Sequence, residues 1–449
     1  MKTSTTTDDR ARHDHAGILL GRDAEGWIWS GNQRSTLVLG PTRSGKTSSV
    51  IIPNVLSAPG AVVLTSTKQD VITATAAARG EHGHTLLFDP LGDSAPPQGV
   101  MSIGWSPLGA AATWDGAIDI ATAMVASSRR RAGGAGPVVD HWTERSAALL
   151  STLLYAGRSG DLSLSSVLRW VDRHRGDEAL EILEDHIGTE HPATALLTGI
   201  LATDSREQSA IWSSTSGVLG AYRSLGALAT TERDGLDAAA FVDGQHTLYI
   251  CASGRSQELA APLVVGLLSE VRTAAYRRAD LDRPVLLALD ELANIAPLPD
   301  LAQIVSEGGG QGLLTIGCLQ DLSQARVRWG PEADGFLSLF STTLLLGGVA
   351  DRTTLRAFHD LAGQSRVARS SRSTARGRRG GTTLTETWST TDEPVLPIDA
   401  VARGRPDHGL LLDATNSVGW IPLTVAHRDE PWASRTRRRP PRGLIGLER

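Results

Sequence analysis

The sequence predicts an α/β fold in which a mostly parallel sheet is covered by helices and interrupted by an all-alpha inserted domain. Short apolar runs alternate with helical segments in residues 27–111 and again in residues 232–432, which is typical of a parallel sheet. Residues 112–231 instead carry apolar residues at i, i+3, i+4 and i+7, and this spacing indicates helices. A glycine-rich loop also joins the first buried run to a helix.

These patterns divide the chain of 449 residues into four parts. We predict a polar N-terminal tail over residues 1–26 and a basic C-terminal tail over 433–449. Between them lie a domain with the parallel sheet, in two segments over residues 27–111 and 232–432, and the all-alpha domain over 112–231. The net charge of −5 excludes a strong overall basic field, so any surface for nucleic acid must be local.

The cysteines and the hydropathy pattern bear on the compartment. Cys251 and Cys318 lie within apolar runs and predict reduced core residues of a cytoplasmic protein. No uninterrupted apolar run reaches the roughly 18 to 20 residues that cross a bilayer. We therefore expect no transmembrane helix in this chain.

The strongest motif lies in residues 40–47, which read G-P-T-R-S-G-K-T and match the pattern G-x-x-x-x-G-K-[ST]. Such a pattern also arises by chance, but here an apolar run predicts a strand that ends at Leu39, and a helix is expected to begin near Gly45. Backbone N–H groups and the positive helix end would then face the phosphates of a nucleotide. The residues expected to bind it are Gly40, Pro41, Thr42, Arg43, Ser44, Gly45, Lys46 and Thr47.

Two residues of this loop have distinct expected roles. Lys46 supplies a compact positive charge for the β- and γ-phosphates, and the Thr47 hydroxyl is a ligand for Mg²⁺. Nearly every other positive charge in the chain is an arginine, since lysine occurs only at Lys2, Lys46 and Lys68. The expected cofactors are ATP and Mg²⁺.

Two later strands end in polar residues that suit the same chemistry. The apolar run at residues 284–289 ends in Asp290 and Glu291, and the run at 313–319 ends in Gln320. In phosphate-loop nucleotidases the first acid holds Mg²⁺ and the second activates the attacking water. We predict these roles for Asp290 and Glu291, and we expect Gln320 to reach the γ-phosphate or to orient water.

Residues 363–391 are rich in Ser, Thr, Gly and Arg, and no acid occurs between Asp360 and Glu386. Such a composition cannot bury a core, so we expect a mobile segment. An idle loop and a phosphate-binding loop both remain open as interpretations. The arginines in question are Arg366, Arg369, Arg372, Arg376, Arg378 and Arg379.

With these motifs in place, the chain resembles the coupling ATPases of type IV secretion and conjugation, the TraG/TraD family. The resemblance covers about residues 27–432 and rests on GPTRSGKTSSVIIPNVL, AVVLTSTK, FDPLG, WSPLG, LLALDELANI, CLQDLSQ and EPVLPIDAV. LDELANI together with LQDLSQ is its specific part. It matches Lys46 and Thr47 to the family's phosphate and Mg²⁺ residues, Asp290 and Glu291 to its acidic pair, and Gln320 to its third-motif glutamine.

The resemblance implies a RecA-like P-loop NTPase domain and an all-alpha domain that meets DNA or its bound relaxase. It also implies a DNA-stimulated ATPase that forms a hexameric ring. Such a ring passes single-stranded DNA, relaxase or protein substrates to the components of a type IV secretion channel. The implied location is the cytoplasm, with peripheral attachment at the inner face of the cell membrane left open.

Two departures from the family pattern keep alternatives open. The transmembrane helices with which family members usually begin have no counterpart here, and residues 307–312 after the acidic pair contain no arginine. One alternative is an FtsK/HerA-like DNA translocase. The other is a non-motor adaptor that binds nucleotide in order to dock a relaxase or effector.

Overall fold

The computed structural model describes residues 17–128, 141–255, 257–376, 382–413, 415 and 417–438. Its strands are β1 Leu19–Arg22, β2 Trp27–Trp29, β3 Thr36–Leu39, β4 Val62–Ser66, β5 Thr85–Phe88, β6 Met101–Ser102, β7 Thr247–Cys251, β8 Val285–Leu289, β9 Leu313–Leu319, β10 Thr342–Leu345, β11 Gln364–Arg376, β12 Thr382–Pro394, β13 His408–Leu412 and β14 Val418–Pro422.

The helices begin after β3, where Lys46–Ile51 has π-helical geometry and continues into α1. The α-helices are α1 Ile52–Ser57, α2 Asp70–Arg79, α3 Pro107–Ala110, α4 Trp114–Ser127, α5 His141–Ser159, α6 Leu164–Arg173, α7 Asp177–Ile187, α8 Pro192–Leu201, α9 Ser205–Val218, α10 Leu225–Thr230, α11 Ala238–Asp243, α12 Gln257–Arg278, α13 Leu301–Glu307, α14 Leu322–Trp329, α15 Phe336–Leu339, α16 Arg352–Ala362, α17 Ile398–Arg403 and α18 Trp432–Thr436.

A ten-stranded sheet organises the molecule, in the order β14-β13-β10-β3-β9-β8-β4-β7-β5-β6. From β10 to β6 all neighbours are parallel, while β13 and β14 are added antiparallel at one edge. The central strands are short and fully buried because helices cover both faces of the sheet. The predicted mostly parallel sheet is therefore confirmed.

The inserted segment between β6 and β7 contains helices and no strand among its described residues. One hydrophobic cluster runs from this segment through helix α12 to one face of the sheet, and a second cluster lies on the other face. Strand β3 contributes to both, since Leu37 and Leu39 belong to the first cluster and Val38 to the second. Alternate side chains of a strand point to opposite faces, so β3 anchors both layers.

Helix α12 is the one described helix that is long and apolar enough to cross a membrane. However, 67% of its most apolar window is buried inside the protein. At Gly266 an added Cβ would collide with the Trp105 ring, so this ring packs directly on the backbone of the helix. The apolar composition of α12 is accounted for by burial at the centre of the fold.

The structure corrects the prediction of a polar N-terminal tail over residues 1–26. Residues 1–16 lie outside the described part, but strand β1 pairs with β2, and Ile18, Leu19 and Leu20 are buried. The Leu19 N–H donates to Asn54 Oδ1 at 2.7 Å, and Asn54 Nδ2 donates to the Leu19 carbonyl at 2.8 Å. Three consecutive apolar residues thus dock this segment on helix α1.

The arginine-rich segment also differs from its prediction. Strands β11 and β12 form an antiparallel two-stranded ribbon, apart from the main sheet, where a mobile segment was expected. The return strand supplies acids that the first strand lacks: Arg366 lies 3.5 Å from Asp392, Arg372 lies 3.3 Å from Glu386, and Arg369 pairs with Glu393. Residues 377–381, with Arg378 and Arg379, lie outside the described part.

The predicted C-terminal tail over residues 433–449 begins later than expected. Residues 432–436 form helix α18, which packs on helices α1 and α2. Trp432 Nε1 donates to the Pro53 carbonyl at 3.1 Å, and Arg435 Nη1 donates to the Leu56 carbonyl at 2.9 Å. Residues 439–449 lie outside the described part.

Candidate nucleotide site

Three neighbouring strands bring the predicted site residues to one edge of the sheet. Strand β9 lies between β3 and β8, and all three run parallel. Their carboxyl ends therefore lie side by side, and these ends lead into Gly40, Gln320 and Asp290. In parallel α/β sheets the carboxyl edge is where ligands bind.

The loop after β3 needs its two glycines for different reasons. An added Cβ at Gly40 would lie 2.5 Å from Ser44 Oγ, so a side chain there would collide with the loop itself. Gly45 has φ 98°, in the left-handed region that favours glycine. The Gly40 N–H donates to the Leu319 carbonyl at 3.1 Å, which fixes the start of the loop to the central strand β9.

Lys46 is held inside the loop by main-chain carbonyls. Its Nζ donates to the Gly40 carbonyl at 2.6 Å and to the Pro41 carbonyl at 3.1 Å. Neutral carbonyls satisfy the ammonium without neutralising its charge. The charge of Lys46 therefore remains available to an anion bound on the loop.

Thr47 and Asp290 meet across the strand ends, although 243 positions separate them in the sequence. Thr47 Oγ1 donates to Asp290 Oδ2 at 2.8 Å. Burial raises the pKa of Asp290 above its ordinary value, while the hydrogen bond from Thr47 and the nearby Lys46 ammonium oppose that shift. A partly buried carboxylate beside a hydroxyl is a suitable oxygen pair for a divalent cation.

Glu291, the residue after Asp290, is half-buried. Burial, together with the neighbouring Asp290 carboxylate, raises the pKa of Glu291 above its ordinary value. Asn294 Nδ2 donates to Glu291 Oε2 at 3.3 Å and orients the carboxylate. An acid whose pKa is raised in this way is suited to accept a proton from water.

The remaining predicted residues lie at the same edge without a shared contact. Gln320 is exposed, and its backbone N–H donates to Gln324 Oε1 at 2.9 Å. Thr42 and Arg43 are exposed at the tip of the loop, where Arg43 has a positive φ of 65°. The structure brings Lys46, Thr47, Asp290 and the loop glycines together, and it leaves Gln320 beside them.

A cavity of about 270 Å³ opens on the loop and adds residues that the sequence interpretation did not include. Its lining includes Asp70 and Val71 at the start of helix α2, and His427 from the segment after β14. Asp70 comes shortly after the end of strand β4. Its position after a predicted strand was a signal in the sequence that could have identified it. No motif marked His427.

The loop and its neighbours fit a phosphate chain with Mg²⁺. Ser44 Oγ is buried without a hydrogen-bond partner, so the loop holds an unused polar atom. Within the described residues no cluster of three or more His, Cys, Asp or Glu side chains forms a metal cage. Mg²⁺ does not need such a cage, because it is commonly held by one or two protein oxygens together with substrate phosphates and water.

Solved structures share this architecture. The unbound bacterial conjugative coupling protein TrwB matches with a TM-score of 0.65 and 18% identity, over 95% of this chain and 93% of that chain. TrwB in complex with ADP and Mg²⁺ matches with a TM-score of 0.65 and 19% identity, over 95% and 94% of the two chains. VirB4 of Thermoanaerobacter pseudethanolicus matches with a TM-score of 0.50 and 13% identity, over 94% and 98%.

These likenesses establish the fold, and the predicted RecA-like domain with a helical insertion is confirmed. No curated protein sequence is significantly similar to this one. A family model described as type IV secretory system conjugative DNA transfer matches residues 2–417, which is nearly the whole chain. The chain therefore belongs to the family of conjugative DNA transfer proteins of type IV secretory systems.

Proposed function

We propose that the protein is a motor of conjugative transfer that binds ATP with Mg²⁺ and uses its hydrolysis to move single-stranded DNA. The observation that carries the proposal is the hydrogen bond between Thr47 Oγ1 and Asp290 Oδ2 at 2.8 Å. It joins the phosphate loop to the acidic pair at the edge of the sheet, which is the arrangement that nucleotide hydrolysis requires. The ADP and Mg²⁺ held by TrwB support the choice of cofactors.

Each residue has a defined task in this proposal. Lys46 exchanges its carbonyl partners for phosphate oxygens, and the free N–H groups of the loop donate to the same phosphates. Thr47 and Asp290 would hold Mg²⁺, which when bound would neutralise charge on the phosphates. Glu291, oriented by Asn294, takes the proton of the attacking water, and Gln320 stands at the end of β9 to position that water.

The proposed partners follow from family membership. Membership of a conjugative DNA transfer family supports DNA and components of the secretion channel as partners, and we propose a relaxase or another protein substrate attached to the DNA as a further partner. We propose that the active form is a homo-oligomer, a hexameric ring. In that form an arginine of a neighbouring subunit, from outside residues 307–312, would stabilise the transition state.

The adaptor remains the second candidate, and the lack of an arginine in residues 307–312 favours it. An adaptor would bind ATP without turnover, and DNA would leave that unchanged. A motor would hydrolyse ATP faster when single-stranded DNA is present. Steady-state ATP hydrolysis with and without single-stranded DNA separates the two, at protein concentrations that allow a ring to form.

The test of the proposed chemistry is Glu291→Gln. We expect hydrolysis to slow by roughly 10² to 10⁴, the usual worth of a positioned base, while ATP binding is nearly unchanged. The matched control is Glu307→Gln, because Glu307 is exposed at the end of helix α13 and contacts Gln303. Full turnover in the Glu291→Gln protein would remove this residue from the mechanism.

A further inference from the structure

The cavity on the phosphate loop has a wall that the proposed hydrolysis does not use. Apart from loop residues 43–48, its lining consists of Ile52, Asp70, Val71 and His427. Asp290, Glu291 and Gln320 are not part of this lining. The acidic pair marks the side of Mg²⁺ and of the attacking water, so the cavity lies where the rest of a nucleotide extends from the loop.

The segment after β14 holds His427 at this cavity. The Ala426 N–H donates to the Ser48 carbonyl at 2.9 Å, which ties the segment to the helical turn that carries Lys46. On the other side, Arg428 forms ion pairs with Asp407 and Asp429, both at 3.0 Å. Both chain neighbours of His427 are therefore fixed to the rest of the protein.

Further contacts anchor the same segment. The Val425 N–H donates to Asp429 Oδ2 at 2.7 Å, which closes a tight turn around His427. Trp432 packs edge-on against Trp27 with ring centroids 4.7 Å apart, and its Nε1 donates to Ser57 Oγ at 3.1 Å. Helix α18, which follows the turn, is thus seated on helix α1.

The His427 side chain is exposed and forms no hydrogen bond or ion pair with the described residues. An imidazole is a flat aromatic surface with two nitrogens that can donate or accept. The nearby Val71 and Ile52 are buried, which gives the cavity an apolar side. Asp70 adds a carboxylate acceptor at the start of helix α2. A flat ring, an apolar side and an acceptor match a nucleoside.

We infer that His427 stacks on the base of the bound nucleoside triphosphate, with Val71 and Ile52 as the apolar side of the same subsite. The inference rests on the proposed function, since it places a nucleotide on the loop. Stacking on an aromatic ring is tolerant of base identity, because every base has a π-face. His427 therefore contributes affinity for the nucleoside and little discrimination between ATP and GTP.

The experiment compares two ligands that share phosphates and differ in the nucleoside. Equilibrium binding of ATP and of inorganic tripolyphosphate, each with Mg²⁺, is measured for the full chain and for His427→Ala. We expect the affinity for ATP to fall about 5- to 100-fold, the worth of one stacked base, and the affinity for tripolyphosphate to stay unchanged. His427→Phe keeps an aromatic face and should restore ATP affinity.

The control variant is His186→Ala, because His186 is an exposed histidine of the inserted domain on helix α7. It should bind both ligands as the unaltered protein does. Unchanged ATP affinity in His427→Ala overturns the inference, and so does an equal loss for ATP and tripolyphosphate, which would indicate a disturbed loop. Failure of the unaltered protein to bind either ligand would instead overturn the proposed function.

Discussion

The phosphate loop and the arginine-rich ribbon of β11 and β12 both hold positive charge, but they hold it differently. Lys46 is bonded to two neutral carbonyls of its own loop. In the ribbon, Arg366, Arg369 and Arg372 are each paired with a carboxylate of the opposite strand. The Lys46 charge is kept in place without a carboxylate partner of its own, whereas each of the other three charges already faces a carboxylate.

This difference shows that a run of cations in a sequence does not by itself indicate a surface for phosphates. Residues 364–372 and 386–394 together contain three arginines and three acids, while residues 373–385 contain three arginines and no acid. The excess charge of the segment therefore belongs to its middle, not to its ends. A cation without a carboxylate partner is the better candidate for function.

The largest effect is expected from an arginine that completes the site of a neighbouring subunit. Of three candidate arginines in the helices after β9 and β10, Arg326 pairs with Asp334 at 2.7 Å and Arg328 donates to the Ser127 carbonyl at 2.5 Å. Arg352 begins helix α16, is exposed, and has no ion pair among the described residues. We expect Arg352→Ala to lower the DNA-dependent ATPase rate by roughly 10³ to 10⁵.

Arg326→Ala is the control, because its charge is already paired. The rate per subunit should also rise with protein concentration in the unaltered protein as subunits assemble. A rate that stays flat from nanomolar to micromolar concentration, in a protein that remains monomeric, would contradict a shared site. An equal loss of ATPase rate in Arg352→Ala and Arg326→Ala would contradict the idea that only an unpaired arginine is available to a neighbouring subunit.

A smaller effect is expected from the loop lysine. Lys46→Ala removes the charge that neutral carbonyls now hold, and we expect turnover to fall by roughly 10² to 10³, as for the loss of one donor to a transition state. ATP binding should weaken as well, since the same ammonium faces the phosphates before reaction. Titration with ATP and steady-state rates separate the two losses. Unchanged rates would place Lys46 outside the chemistry.

The smallest effect concerns the ribbon and single-stranded DNA. Arg376, Arg378 and Arg379 replaced together by Ser should flatten the log-log salt dependence of binding by about 0.7 for each DNA phosphate that the protein no longer neutralises. The matched variant replaces Arg366, Arg369 and Arg372 by Ser, and we expect little change because these side chains are already paired.

The salt dependence of DNA binding can also be measured after the carboxylate partners, and not the arginines, are changed. Replacing Glu386, Asp392 and Glu393 by their amides would free the three paired arginines and should steepen the salt dependence. Equal slopes for both arginine triples would indicate that the carboxylates do not decide which arginines are available. An unchanged slope in every variant would make the whole segment idle.

The sequence predicted those parts of the site whose structure is determined by residues close together in the chain. Residues 40–45 form a loop between a strand and a helix as predicted, because strand, turn and helix signals are all local. Strand β9 matched its predicted bounds for the same reason. The ends of these strands therefore identified Lys46, Thr47, Asp290 and Gln320 as neighbours at one edge.

The sequence was less informative where partners come from distant parts of the chain. The acids that pair with Arg366 and Arg372 lie on the return strand, and no local pattern announces that pairing. His427 reaches the loop through a turn that is tied to it by the hydrogen bond from the Ala426 N–H to the Ser48 carbonyl, a contact that no local pattern announces. The docking of residues 18–20 needs a surface that exists only in the folded protein.

Helix α12 has a mechanical consequence for a protein that moves its substrate. It packs against α4 of the inserted domain and belongs to the cluster that continues to the sheet. Swinging the inserted domain away would expose this apolar surface to water, at about 25 cal/mol for each Å². Nucleotide turnover therefore has no free hinge inside the subunit at this point. In the proposed ring, large displacements of a transported strand are therefore expected to come from one subunit shifting against the next.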